Sequence, residues 1–256
     1  MSLFVILIVF ILIGASLSWY FISHDRGEKE PVGALWSAVG FGLVGIVLAV
    51  LLEALVVPHN IQTATNQPTA LLLRTFLMVG IIEELCKFLP LAIWIYPKKF
   101  FNEHTDGIIY FALAGLGFGI PENILYALSF GAGTGVMRIV VTPIFHATTT
   151  AFVGYYLAKS KVDHKPLSRV AFALAGVMLL HGLYDFGLAG KFPILIVVSL
   201  MITLAMTTML FILFTRANET DQAEGLSTAG ANSFCRWCGY PNPKHNLYCA
   251  HCGKRA

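Results

Sequence analysis

The chain has 256 residues, of which 57% are hydrophobic and 12% charged, with a mean hydropathy of +0.73. Soluble domains carry about 25% charged residues, so a purely soluble enzyme is excluded. The formal net charge of +3 comes from 17 Lys and Arg against 14 Asp and Glu; these are scattered over connecting segments, a pattern that gives no support to nucleic-acid binding.

A spanning helix needs about 20 mostly apolar residues, because the hydrocarbon core is about 30 Å thick and each residue rises about 1.5 Å. Seven stretches meet this requirement, near residues 3–23, 32–57, 70–96, 107–130, 136–158, 168–189 and 193–215. They predict an all-α polytopic membrane protein with about seven transmembrane helices. The first stretch lacks a basic n-region and is too long for the apolar core of a signal peptide, so it is expected to be retained. Lys and Arg alternate between the short loops. Arg26 and Lys29 follow the first span, Lys98 and Lys99 the third, and Lys159, Lys161 and Lys165 the fifth, whereas the loops after the second and fourth have none. Cytoplasmic loops hold the excess of basic residues. The expected orientation in the plasma membrane therefore has the N-terminus outside and the C-terminal tail in the cytoplasm.

Ionisable residues at mid-bilayer cost about 2.5 to 3.5 kcal/mol on insertion scales, so each is a site hypothesis by default. The third span holds Glu83, Glu84 and Lys87, the fourth Glu122 with Asn123, the fifth His146, and the sixth His181 with Asp185. At about 100° per residue, Glu83, Glu84 and Lys87 fall in one arc with Gly80, whose missing side chain lets another helix or a substrate approach. Two like charges facing one cavity cannot both ionise freely, which suits one of them to general-base work on water. An ion pair that merely holds helices together is the competing structural reading. His146 has Thr150 at i+4 and His181 has Asp185, so each imidazole has a polar neighbour on its own helix face. Counted from the outer ends of their spans, Glu83, Glu122, His146 and His181 sit roughly 12 to 20 Å deep and can meet in one pocket. Pro90, Pro121 and Pro143 lie close by, and the backbone carbonyls they free are tolerated in a membrane only beside protein or water. Gly115, Gly117 and Gly119 lie inside a span with no preceding strand, which favours close helix packing over a phosphate loop.

Beyond the last span, residues 216–233 turn to Asn, Glu, Asp, Gln, Gly, Ser and Thr and read as a flexible linker. Residues 234–256 contain Cys235-x2-Cys238 and Cys249-x2-Cys252, each pair followed by a glycine. Four thiolates in a segment too short for its own core predict a structural zinc ribbon, and with four cysteine ligands the ion has no open position for catalysis. The ribbon is expected to serve as a docking or regulatory module for a cytosolic partner. The domain division is thus residues 1–215, 216–233 and 234–256. Cys86, alone in the third span, reads as packing.

The series Glu83-Glu84-Leu85-Cys86-Lys87, Asp106-Gly107, Gly115-x-Gly117-Phe118-x3-Glu122-Asn123, His146-x3-Thr150 and His181-Gly182-x2-Asp185 resembles the motifs of the PrsW family of intramembrane proteases. More distantly it is similar to the CAAX prenyl endopeptidase superfamily. The resemblance covers roughly residues 70–190. It implies peptide-bond hydrolysis of a membrane-anchored protein substrate, such as an anti-sigma factor, within or near the bilayer. It makes Glu83 the base and Glu84 its partner. His146 and His181 stabilise the oxyanion or protonate the leaving amine, Asp185 orients His181, and Lys87, Asn123 and Thr150 give support. Glu122 stands in an FxxxE motif where the prenyl endopeptidases have FxxxH, which departs from the water-orienting role. A glutamic mechanism is the preferred expectation because no HExxH places two histidines on one helical face. A zinc-dependent version of the same protease, an ion-coupled transporter built on the same Glu, His and Lys cluster, and a scaffold acting through its ribbon stay open as alternatives.

Overall fold

The structure is a computed structural model, described for residues 3–56, 67–130, 136–189, 193–224, 233–235, 237–242, 248–249 and 251–255. It is helical throughout apart from the cysteine-bearing tail. Helices α1 (Leu3–His24) and α2 (Val32–Val56) are followed by one long rod in three pieces, α3 (Pro68–Arg74), a π-helical segment (Thr75–Glu83) and α4 (Glu84–Trp94). Then come α5 (His104–Phe130), α6 (Val136–Val162), α7 (Ser168–Ala189) and α8 (Pro193–Ala223). Among the described residues, four helices are long and apolar enough to cross a membrane, within α2, α5, α7 and α8, with a shorter apolar helix in α1. These rods coincide with the seven expected spans to within a few residues, except that α8 runs on to Ala223.

Burial sorts the helices into lipid-facing and central. α2 and α8 keep rows of large apolar side chains on the outside, among them Val47, Leu51, Leu55, Met201 and Leu204, as expected where hydrocarbon replaces water. α5 is central and largely buried, and its Ile108 to Leu116 stretch forms the middle of the core with Leu91, Phe101, Leu157 and Phe214. Small residues let the central helices approach. A Cβ on Gly107 would lie 2.1 Å from the Gly154 carbonyl oxygen, and one on Gly115 would lie 2.4 Å from that of His146. Backbone-to-backbone contact of this kind brings α5 and α6 together without large side chains between them. The glycine run in α5 therefore packs helices, as its position within a span predicts.

Pro90, Pro121 and Pro143 lie inside α4, α5 and α6. The π-helical segment ends at Glu83 and was not signalled by any residue type in Thr75–Glu83. α8 also departs from the sequence reading: it continues past Arg216 to Ala223, into the stretch read as linker. Its last turns are held by buried polar groups, with Asn218 Oδ1 accepting the Arg26 N–H at 2.8 Å and Asp221 accepting the backbone N–H groups of His104 and Thr105 at 2.9 and 3.1 Å. Residues 225–232 lie outside the described residues.

In the tail, two short strands (β1, Ser233–Phe234; β2, Pro241–Asn242) pair antiparallel. Gly239 and Gly253, the residues after each Cys-x2-Cys, have φ of 68° and 70°, the left-handed conformation that glycine adopts without penalty. The tail meets the helices at the start of α2 and the α4–α5 connection, where a Cβ on Gly33 would lie 2.7 Å from the Trp237 carbonyl oxygen and one on Gly239 would lie 2.7 Å from the Phe100 ring.

Candidate active site

Four helical rods deliver the intramembrane polar residues to one place. Glu83 closes the π-helical segment and Glu84 opens α4, so from Glu83 onward the backbone has the α-helical spacing that puts Lys87 beside both carboxylates. Lys87 Nζ lies 3.3 Å from Glu83 Oε2 and 2.9 Å from Glu84 Oε1. Gly80, one turn earlier, is the point of closest approach to α7, where a Cβ would lie 2.4 Å from the Met178 carbonyl oxygen. That approach carries His181 in: its Nδ1 lies 2.6 Å from Glu84 Oε1, and its Nε2 lies 3.9 Å from Glu83 Oε2.

From α5 and α6, Glu122 and His146 complete the cluster. Lys87 Nζ is 2.7 Å from His146 Nδ1. An ammonium has no lone pair, so it donates and Nδ1 accepts. His146 Nε2 then carries the proton and lies 2.6 Å from Glu122 Oε2, a close contact. The two imidazole rings are 5.0 Å apart, centroid to centroid, nearly perpendicular. A Cβ on Gly119 would lie 2.6 Å from the His146 ring, so glycine is what admits the imidazole against α5. Lys87 is fully buried, over the face of Phe118 at 4.2 Å.

The six acidic and imidazole residues named from the sequence therefore converge; the expected His181–Asp185 pair is present, the expected His146–Thr150 pair is not, and closer carboxylates were not foreseen. His181 Nδ1 is held by Glu84. Asp185 Oδ2 lies 3.2 Å from Nε2, the nitrogen that faces Glu83. His146 is held by Glu122 and Lys87, and Thr150 does not reach it: Thr150 Oγ1 is buried with no hydrogen-bond partner among the described residues. Asn123 turns back to its own helix, its Nδ2 donating to the Gly119 carbonyl at 2.7 Å. One residue was missed. Glu53 on α2 is within electrostatic reach of Glu122, Lys87 and Asp185, and its signal was plain, since it is the acidic residue in an otherwise apolar span.

The donor chemistry suits a metal. Glu83, His146 and His181 each offer a ligand atom, all within 4.8 Å of one another and all buried. Two imidazoles and a carboxylate match known catalytic zinc donor sets. Each imidazole has a carboxylate on its outer nitrogen, Glu122 for His146 and Glu84 for His181; of the inner nitrogens, His146 Nδ1 accepts from Lys87, which a metal would have to displace, and His181 Nε2 faces Asp185 and Glu83. Carboxylates on the outer nitrogens are the arrangement that orients ligating histidines. The absence of HExxH is thus no argument against a metal here, because separate helices bring together what that motif places on one.

The four tail cysteines are free thiols and cluster as a zinc-ribbon-like site, with ligand atoms within 4.8 Å of one another. Sγ–Sγ separations are 3.6 Å for Cys235 and Cys252 and 3.7 Å for Cys238 and Cys249, close to the edge of about 3.8 Å implied by tetrahedral zinc with Zn–S of about 2.3 Å. Backbone N–H groups of Trp237 and His251 point at Cys235 and Cys249 Sγ, each at 3.4 Å.

Residues 30–215 match the PrsW family intramembrane metalloprotease family. Curated relatives include protease PrsW of Bacillus subtilis (strain 168), 31% identical over 175 residues that make up 68% of this chain and 78% of the relative. Protease PrsW of Clostridioides difficile (strain 630) is 32% identical over 73% of this chain and 79% of its own length. That of Halalkalibacterium halodurans is 33% identical over 67% and 77%. No solved structure matches.

Proposed function

The chain belongs to the PrsW family of intramembrane proteases, and from that premise we propose that it is an endopeptidase hydrolysing peptide bonds of membrane-anchored protein substrates at the Glu83, His146 and His181 cluster. The observation that carries this reading is the convergence of those three groups from three different rods, each imidazole braced by its own carboxylate. A transporter built on the same polar residues has no support from the family.

Glu83, His146 and His181 would hold the metal that a metalloprotease family implies, with Lys87 displaced from His146 Nδ1. When bound, such an ion polarises the scissile carbonyl and lowers the pKa of water towards neutrality. The chain's own residues do the rest. Glu84 and Glu122 fix the tautomers and ring orientations of His181 and His146. Lys87 offsets the charge of the acidic groups around it. Asp185, on the inward nitrogen of His181, stands where a proton can be passed to a leaving amine. A second reading, with Glu83 as a metal-free general base, is favoured by one observation: the Lys87 ammonium already sits among Glu83, Glu84 and His146 as a cation would.

The basic loops support an N-terminus outside and the tail in the cytoplasm. Cys235, Cys238, Cys249 and Cys252 support a structural zinc, and the ribbon a cytosolic partner. The domain boundaries of residues 1–215, 216–233 and 234–256 move in one respect, since α8 runs on to Ala223.

The test uses full-length protein in proteoliposomes with a panel of single-span substrates and metal analysis of each variant. E83Q and H181A are both expected to lose cleavage, and H181A to carry one metal equivalent fewer than the unsubstituted chain. Loss of cleavage with no change in metal content returns the site to Glu83 acting alone. Cleavage undiminished in both variants overturns the proposal.

A further inference from the structure

A second group of metal-ligating side chains lies far along the helices from the intramembrane cluster, at the end of the bundle where the cysteine tail is attached. His104 at the start of α5 is buried, and both its ring nitrogens face carboxylates: Nδ1 lies 2.6 Å from Asp221 Oδ1 and Nε2 lies 2.6 Å from Asp163 Oδ1. Asp221 is fixed independently, because it accepts the backbone N–H groups of His104 and Thr105. Asp163 is fixed at the end of α6, where His164 takes the left-handed conformation (φ 53°) that turns the chain away. Glu224, nearly one turn beyond Asp221, is held by its backbone N–H to the Thr220 carbonyl at 2.9 Å and is exposed to solvent. Ligand atoms of His104, Asp163 and Glu224 lie within 4.8 Å of one another.

We propose that His104, Asp163 and Glu224 form a divalent-cation site that ties the end of α8, the root of the cysteine tail, to α5 and α6. Three observations carry it. The donor set is one imidazole nitrogen from the start of α5 and two carboxylates from just past the ends of α6 and α8, a set suited to borderline and harder divalent ions such as Mn2+, Co2+ or Zn2+. Asp221 on the far nitrogen of His104 provides the outer carboxylate that orients a ligating imidazole and fixes its tautomer, leaving Nε2 to face Asp163. The charge balance favours a cation: three carboxylates gather around one imidazole, and among the described residues an ammonium, Lys159, lies 3.4 Å from Asp163 Oδ2. Even a protonated His104 leaves the group net negative. On binding, the cation replaces the Nε2 proton, which leaves to solvent past the exposed Glu224.

The competing account is an imidazolium that pins Asp163 and Asp221 with no metal, and the experiment separates the two. Full-length protein in nanodiscs is titrated with Mn2+ and the bound ion is counted by electron paramagnetic resonance; the four-thiolate tail favours softer ions and stays out of this signal. The H181A background removes the intramembrane histidine site from the count. In that background the expected result is about one bound Mn2+ per chain showing imidazole nitrogen coupling, with affinity at least tenfold weaker in E224Q and in D163N, and nitrogen coupling lost in H104Q. E224Q alters an exposed side chain, so a change there is not a folding defect. Mn2+ binding of the same stoichiometry and affinity in E224Q and D163N, or no Mn2+ bound in the H181A background, overturns the proposal.

Discussion

His146 Nε2 lies 2.6 Å from Glu122 Oε2, while Nδ1 of the same ring accepts from Lys87 at 2.7 Å. The imidazole is therefore clamped on both sides, and its tautomer is set by the carboxylate of α5. Glu122→Gln keeps an acceptor for the Nε2 proton, whereas Glu122→Ala removes it. Outer partners of this kind are worth about 10- to 100-fold in activity or metal affinity. The expected ordering is a loss of about tenfold in single-turnover cleavage for E122Q and about 100-fold for E122A. Equal losses in the two variants would show that charge, and not the hydrogen bond, is what Glu122 provides.

Lys87 is fully buried with two carboxylates and an imidazole around its ammonium. Removing one partner of a buried charge network leaves the others uncompensated, at a cost of about 3–5 kcal/mol. Lys87→Met is accordingly expected to destabilise the folded protein by that order, read as a lowered midpoint in thermal or detergent-induced unfolding. Lys87→Met with an unchanged midpoint would mean that Glu83 and Glu84 are neutral in the folded protein.

The connection between α1 and α2 and that between α4 and α5 supply two further acids outside the spans. Burial, with Asp106 beside it, pushes the Glu103 carboxyl up to about 9, and burial pushes Glu30 up to about 7, where it accepts a hydrogen bond from Tyr110. Both groups keep their proton in the folded protein at pH values where the unfolded chain, near its ordinary 4.5, has lost it. The unfolded state then binds fewer protons, so stability falls as pH rises from about 4.5, through 7 for Glu30 and on to 9 for Glu103. Thermal unfolding between about pH 5 and pH 9 is expected to show this decline, and E103Q to flatten its upper part. A midpoint independent of pH over that range, or one that rises, contradicts the assignment.

Cys235 and Cys249 are buried in the tail, and two knuckle turns ending at Gly239 and Gly253 hold the four sulfurs together. A segment of this size has little core to fold around without its ion. Cys235→Ser with Cys249→Ser is expected to remove one tightly bound zinc per chain and to open the tail to trypsin at Lys254 and Arg255. Hydrolysis of a short peptide substrate should stay within about twofold, because closed four-cysteine sites are structural. A zinc count per chain unchanged in the double variant would place the ion elsewhere.

The seven rods were legible in the sequence because bilayer thickness imposes a length and composition that no tertiary contact relaxes. Glu83, Glu84, Lys87, Glu122, His146, His181 and Asp185 were legible for the same reason, since a charged group in an apolar run stands out. Their pairings were legible only in part. Spacing along α7 puts Asp185 on the same face as His181, yet the nitrogen it reaches and the closer approach of Glu84 depend on how α7 crosses the neighbouring rod at Gly80. The π-helical turn left no mark either, for Thr75–Glu83 is an ordinary apolar run and its wider winding is fixed by packing against α7. Residues 216–223 look like linker by composition. They are helical because Asn218 and Asp221 find backbone partners at Arg26 and at the start of α5, each more than a hundred residues away in sequence.

The wider winding of Thr75–Glu83 has a geometric corollary. Its i→i+5 winding advances less than the roughly 100° per residue of an α-helix, so Pro68–Arg74 at one end and Glu83, Glu84 and Lys87 at the other face directions relative to each other that one unbroken α-helix would not give them.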